Sequence, residues 1–194
     1  MLEKLKQSLL EAPVIQKESE GQIYNYFVHP ISDGIPAIPP EILDEISDFI
    51  LHSFSKNLPA DLIVTIESMG IPIAIPLSMK SKIPTCIVRK RKYGLPGEVE
   101  LSQSTGYSKG KLYLNGLSKG DRVLIVDDVI STGGTLKALL NCLDEMGVVV
   151  AGVFCVIGRG DGQKQIFQET GHKVTVLVNI DVTKDGVILL GGNE

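Results

Sequence analysis

Two adjacent carboxylates, Asp127 and Asp128, stand between a run of branched apolar residues and a turn built of small ones. Val123 to Val126 reads as a strand buried on both faces, so the acids fall where that strand ends. The turn Ser131-Thr132-Gly133-Gly134-Thr135 opens directly into a helical pattern. Backbone N–H groups in such a turn, backed by a helix N-terminus, make a phosphate cradle. Carboxylates beside that cradle would repel a phosphate unless sugar hydroxyls or a metal lie between them. A sugar phosphate fits the arrangement better than a nucleotide polyphosphate does. No Gly-Lys-Ser/Thr follows the glycines, so this is not a Walker A loop. The plain alternative is a strand-to-helix turn that carries two acids by chance.

Three other segments carry chemically loaded residues. Glu67-Ser68-Met69-Gly70 follows a second apolar run, and its backbone N–H groups suit a diphosphate. Arg89-Lys90-Arg91-Lys92 reads as a solvated cluster, a nucleic-acid patch, or the counter-charge for a polyanionic ligand. Its place at the carboxyl end of a core strand favours the ligand. Tyr93 to Gly110 is polar and glycine-rich, with few core candidates, and reads as a mobile hairpin or lid before Lys111 to Leu114 returns as a strand. Arg159-Gly160-Asp161 spells an adhesion tripeptide, which here marks a turn before the last helix.

The elements that must position these residues alternate. Strands are expected at Leu62 to Ile66, Thr85 to Val88, Val123 to Val126, Val148 to Ile157 and Val174 to Ile180. Helices are expected at Pro72 to Lys80, Thr135 to Met146 and Gln163 to Thr170. That rhythm implies a doubly wound α/β fold with a mostly parallel sheet. Ligands bind beyond the carboxyl ends of such strands, where the loops from Glu67, Arg89 and Asp127 converge. Upstream, Leu2, Leu5 and Leu9 mark a helix that Pro13 ends, Ile23 to Val28 a short strand, and Pro30 to Pro40 a connector. A helix begins at Pro40, with Ile42, Ile46, Phe49 and Ile50 as its apolar stripe.

A chain of 194 residues suits a single domain spanning residues 1–194. A net charge of -4 argues against nucleic acid as a partner. Cys86, Cys142 and Cys155 lack metal or redox spacing and read as free thiols in a reducing cytoplasm. His29, His52 and His172 lack metal-ligand spacing too, and no apolar run is long enough for a membrane span.

The segment Val123 to Thr135 resembles the phosphoribosyl-pyrophosphate (PRPP) motif of the type I phosphoribosyltransferases. The single copy sets the chain apart from the ribose-phosphate pyrophosphokinases, which resemble this fold twice over. Over its whole length the chain is most similar to archaeal hypoxanthine/guanine phosphoribosyltransferases, built on the adenine-phosphoribosyltransferase plan. The resemblance implies salvage of a 6-oxopurine with PRPP and Mg²⁺, the ion being held mainly by PRPP. The rivals are adenine or xanthine as the base and, in another class, a non-catalytic PRPP sensor. Asp127 and Asp128 would hold the ribose hydroxyls, and Ser131, Thr132, Gly133, Gly134 and Thr135 the 5′-phosphate. Glu67, Ser68, Met69 and Gly70 would form the pyrophosphate loop, with the Glu67–Ser68 peptide cis and Met69 where relatives carry arginine. Arg89 and Lys90 would contact the diphosphate, partly across a homodimer interface. Residues 1–40 would form a small hood over the base, with Tyr26 or Phe27 stacking on it unless both are hood core. Leu95 to Glu98 resembles the flexible catalytic loop, and Gly106 stands where the adenine branch carries an acid, which argues against adenine.

Overall fold

The computed structural model describes residues 1–19, 21–54, 59–104 and 109–191. In chain order the elements are α1 (Glu3–Leu10), β1 (Val14–Ser19), β2 (Gln22–Phe27), α2 (Pro30–Asp33) and α3 (Pro40–Phe54). The second stretch holds β3 (Leu62–Ile66), α4 (Ile71–Ser81), β4 (Thr85–Val88), β5 (Val99–Ser104) and β6 (Lys109–Leu114). The last holds β7 (Arg122–Ile130), α5 (Gly134–Met146), β8 (Val149–Arg159), α6 (Gly162–Thr170), β9 (Val174–Thr183) and β10 (Gly186–Leu190).

A six-stranded sheet runs in the order β10-β9-β8-β7-β3-β4, parallel throughout except at β10. Its strands bury both faces, as a parallel sheet between helices must. Leu124 and Val126 point into a core shared with α1, α3 and α4. Val123 and Ile125 point into the other, shared with α5, α6 and the β5–β6 hairpin. The doubly wound expectation is therefore met. The chain winds from β3 to β4 in one direction and from β7 through β8 to β9 in the other. The switch point lies between β3 and β7, where an open α/β sheet leaves its ligand crevice.

Several boundaries differ from expectation, each for a reason of packing. β7 does not end before the acids but runs through Asp127 and Asp128 to Ile130. Its pairing with β3 stops at Thr65 opposite Val126, while β8 pairs onward to Ile130 opposite Gly158. One neighbour thus keeps the strand straight while the other edge opens into the crevice. The stretch Tyr93 to Gly110 contributes Leu101 to the α5-side core, beside Leu112 and Leu114 of the expected returning strand. The hairpin is antiparallel and its turn, with Gly106, lies outside the described residues. β1, α2 and β10 were not foreseen, because short polar or Pro-bounded pieces carry little periodicity. Among the described residues no helix is long and apolar enough to cross a membrane.

Candidate active site

The crevice at the switch point is about 280 Å³ and is lined by Glu67 and Ser68 from one side and Asp127 to Leu136 from the other. Its floor is the end of the sheet, with Ile66 and Cys155. Gly133 caps α5 with φ 75°, in the left-handed region that favours glycine, and no side chain caps the helix. Gly134, Thr135 and Leu136 of the first turn of α5 line the crevice, where a helix N-terminus suits a bound phosphate. Gly162, the first residue of α6, backs this loop so closely that a Cβ there would lie 2.2 Å from the Ser131 carbonyl oxygen.

The two acids share a desolvated place. Burial first, and then the charge of Asp128, hold the Asp127 carboxyl well above the ordinary carboxylate range. Burial likewise pushes Asp128 up to about 6. Asp127 Oδ1 accepts the Asp128 N–H at 3.1 Å. Hydroxyl donors, as a ribose would bring, offset the desolvation of the ionised pair.

On the far side, the Glu67–Ser68 peptide is cis, as the resemblance implied. Glu67 takes an ion pair from Arg89 Nε and a 3.4 Å hydrogen bond from the Lys90 N–H. The Arg89 backbone is itself fixed by bonds in both directions with Tyr113 of β6. Lys90, Arg91 and Lys92 project into solvent. Met69 and Gly70 do not line the cleft. Met69 lies against Gly34 at the end of α2, and Gly70 is buried beneath the loop beside Thr65 and Asp127.

A smaller cavity of about 200 Å³ opens beside the crevice and shares Asp128, Val129 and Ser131 with it. Its other walls are Tyr24, Tyr26, Phe27, Ser32 and Arg159. Phe27 is nearly buried and belongs to the core. The Tyr26 hydroxyl donates to Asp33 at 2.5 Å, while Lys17 Nζ sits 3.4 Å above its ring. His29 anchors this wall. Burial pushes its pKa down to about 4, so the ring is neutral near pH 7. Nδ1 accepts the Ile31 N–H, which leaves the proton on Nε2 for Ser8 Oγ at 2.9 Å.

Sequence reading brought together Glu67, Ser68, Asp127, Asp128 and Ser131 to Thr135, which all line one crevice. It missed Arg159, read as a mere turn residue, although Arg159 ends β8 at the same sheet edge as the other loaded loops. That shared strand-end position was the available signal.

A phosphoribosyl transferase domain model matches residues 38–182. A hypoxanthine/guanine phosphoribosyltransferase of Methanosarcina mazei is 58% identical over 187 residues, 96% of this chain and 95% of that protein. One from Methanohalophilus mahii is 53% identical over 190 residues, 98% of this chain and 96% of that protein. Among solved structures, an adenine phosphoribosyltransferase from Rhodothermus marinus aligns with a TM-score of 0.70 at 27% identity, covering 92% of this chain and 97% of its own. A Leishmania tarentolae adenine phosphoribosyltransferase aligns at 0.72 with 18% identity over 92% of this chain and 87% of its own, which shows likeness of fold. With the domain match spanning most of its length, and a crevice whose acids and phosphate cradle meet at the sheet's switch point, the chain belongs to the phosphoribosyltransferase family.

Proposed function

We propose that this enzyme is a hypoxanthine/guanine phosphoribosyltransferase, which joins a 6-oxopurine to the ribose of PRPP and releases pyrophosphate. The observation that carries this reading is the pair of joined cavities, one fitted to a sugar phosphate and one, walled by aromatics and Arg159, to a flat base. Near-full-length relatives at 53% and 58% identity bear that printed name. The purine N9 displaces pyrophosphate from C1′, and positive charge builds on the ribose ring as the old bond breaks.

Each task has its residues. The loop Ser131 to Thr135 and the α5 N-terminus anchor the 5′-phosphate. Asp127 and Asp128 accept hydrogen bonds from the ribose hydroxyls, and their charge favours the cationic ring most in the transition state. The diphosphate meets the cis Glu67–Ser68 turn and competes with Glu67 for the Arg89 guanidinium, with Lys90 beside it. The protein donors facing it are N–H groups and cations made for anions, so Mg²⁺ would ride on PRPP's own oxygens. When bound, it neutralises charge on the leaving pyrophosphate. Among the described residues Arg159 supplies the one cationic donor in the base cavity's wall, and it suits an exocyclic oxygen better than an amine. Tyr24, Tyr26 or both offer the base an aromatic wall. Free thiols at Cys86, Cys142 and Cys155 suit work in the cytoplasm.

The decisive assay follows product formation from PRPP with hypoxanthine, guanine, xanthine and adenine. Hypoxanthine and guanine should each give a higher kcat/KM than adenine, because a donor facing the adenine amine is left unpaired. A preference for adenine or xanthine would replace the assignment with that base. No turnover with any of the four, alongside tight PRPP binding, would point to a sensor.

We also infer a homodimer, since the exposed Lys90 to Lys92 cluster lies beside the diphosphate loop and suits a second subunit's site. Light scattering at assay concentration should show twice the 21.0 kDa chain mass. A fully active 21.0 kDa particle would rule the dimer out.

A further inference from the structure

Thr65, the penultimate residue of β3, is wholly enclosed, at 0% exposure, and its Oγ1 has no hydrogen-bond partner. An unpaired buried hydroxyl works against folding, and a valine of the same shape would avoid the penalty. Its surroundings suggest what it does. A Cβ on Gly70 would lie 2.1 Å from Thr65 Oγ1 and 2.9 Å from Asp127 Oδ1. Both oxygens therefore crowd one point on the Gly70 backbone, and they stand no farther apart than about 5 Å, the two distances end to end.

Asp127 keeps acidic company. Asp128 lies beside it on β7, and Cys155 opposes it on β8. Glu67, with its partner Arg89, closes the crevice from the ends of β3 and β4. Asp33 of α2 bears on Asp128. The groups nearest the pair are thus mostly acidic; Arg89 is engaged by Glu67, and Arg159 lines the smaller cavity with Asp128. Thr65 brings a neutral O–H to the Gly70 backbone point that Asp127 Oδ1 also crowds.

We propose that Thr65 is the positioning residue of the acid pair: its hydroxyl turns to Asp127 and holds that carboxylate ionised and aimed at the ribose once PRPP fills the cleft. The idea rests on the reading of Asp127 as a ribose acceptor. A hydrogen bond to the charged form lowers a carboxyl's pKa, so losing the bond raises it.

The test compares T65V, T65S and D127N with the parent enzyme. In T65V the acid limb of kcat at saturating PRPP, which reports the bound enzyme, should move up by roughly half to one pH unit, the worth of one neutral hydrogen bond. Activity on the alkaline side should be kept, and T65S should retain the parent limb. The thermal midpoint of T65V without ligand should hold or rise, since an unpaired hydroxyl is gone. A purely structural threonine predicts the same midpoint change with an unmoved limb, and that result overturns the proposal. If T65V folds poorly, T65A read against T65S makes the same comparison. An impaired D127N beside an unmoved T65V limb removes the Thr65 role alone. A fully active D127N removes the ribose reading as well.

Discussion

Asp128→Asn and Asp127→Asn should each lower kcat/KM for PRPP by about ten- to a hundredfold, the worth of one charge-assisted hydrogen bond. Thermal stability should move the other way. Both carboxyls titrate above their ordinary range in the folded, empty protein. A carboxyl whose pKa is raised by folding binds more protons folded than unfolded. Stability is therefore greatest below the unfolded value, about 4, and falls as pH rises through the folded one. A neutral amide at either position removes that group's share of the burden and its charge on the other. The variants should melt at or above the parent midpoint at pH 7, and the gap should shrink toward pH 4. Neither acid caps α5, whose N-cap is Gly133 with no side-chain cap bond, so no lost cap offsets the gain. Melting curves at the two pH values and PRPP kinetics on the same preparations decide the matter. Unimpaired kinetics in both variants would defeat the PRPP-site assignment. A fall in the midpoint with intact kinetics would make the pair structural.

Gly162→Ala should damage PRPP binding although Gly162 itself does not line the crevice. The added Cβ would stand 2.2 Å from Ser131 O, 2.9 Å from Ser131 C and 3.1 Å from Gly133 N. All three are backbone atoms of the phosphate loop, which no side-chain rotation can clear. Either α6 retreats from the sheet or the loop shifts. Overpacking of this kind costs about 1–3 kcal/mol, which is several degrees in the midpoint for a chain of this size. A displacement near 1 Å at a binding loop can cost about a hundredfold in rate, so KM for PRPP should rise at least tenfold. KM for the base should change far less, because the base cavity meets this loop only at Ser131. A variant with the parent midpoint and parent KM for PRPP would show that the loop has room to spare.

The chain's own order of residues made the acids, the small-residue turn and the helix legible as one candidate site. Val123 to Thr135 writes strand, acids, cradle and helix consecutively, so local pattern alone places Asp127, Asp128 and Ser131 to Thr135 on one loop edge. The alternation of strands and helices likewise dictated a parallel sheet, because crossover helices leave such strands no other pairing. Contacts between distant segments were not legible in that way. The extension of β7 past its acids depends on β8 running longer than β3, a comparison of neighbours 20 or more residues away. Arg159 becomes a wall of the base cavity only when β8 sets its carboxyl end beside the β1–β2 hairpin. Thr65 reads as one more β-branched strand residue until Gly70 folds back over it and Asp127 comes alongside. Local periodicity records which face of an element is apolar. It carries no record of which unlike groups meet at the switch point, and only the tertiary packing brought Thr65, Gly70 and Asp127 together.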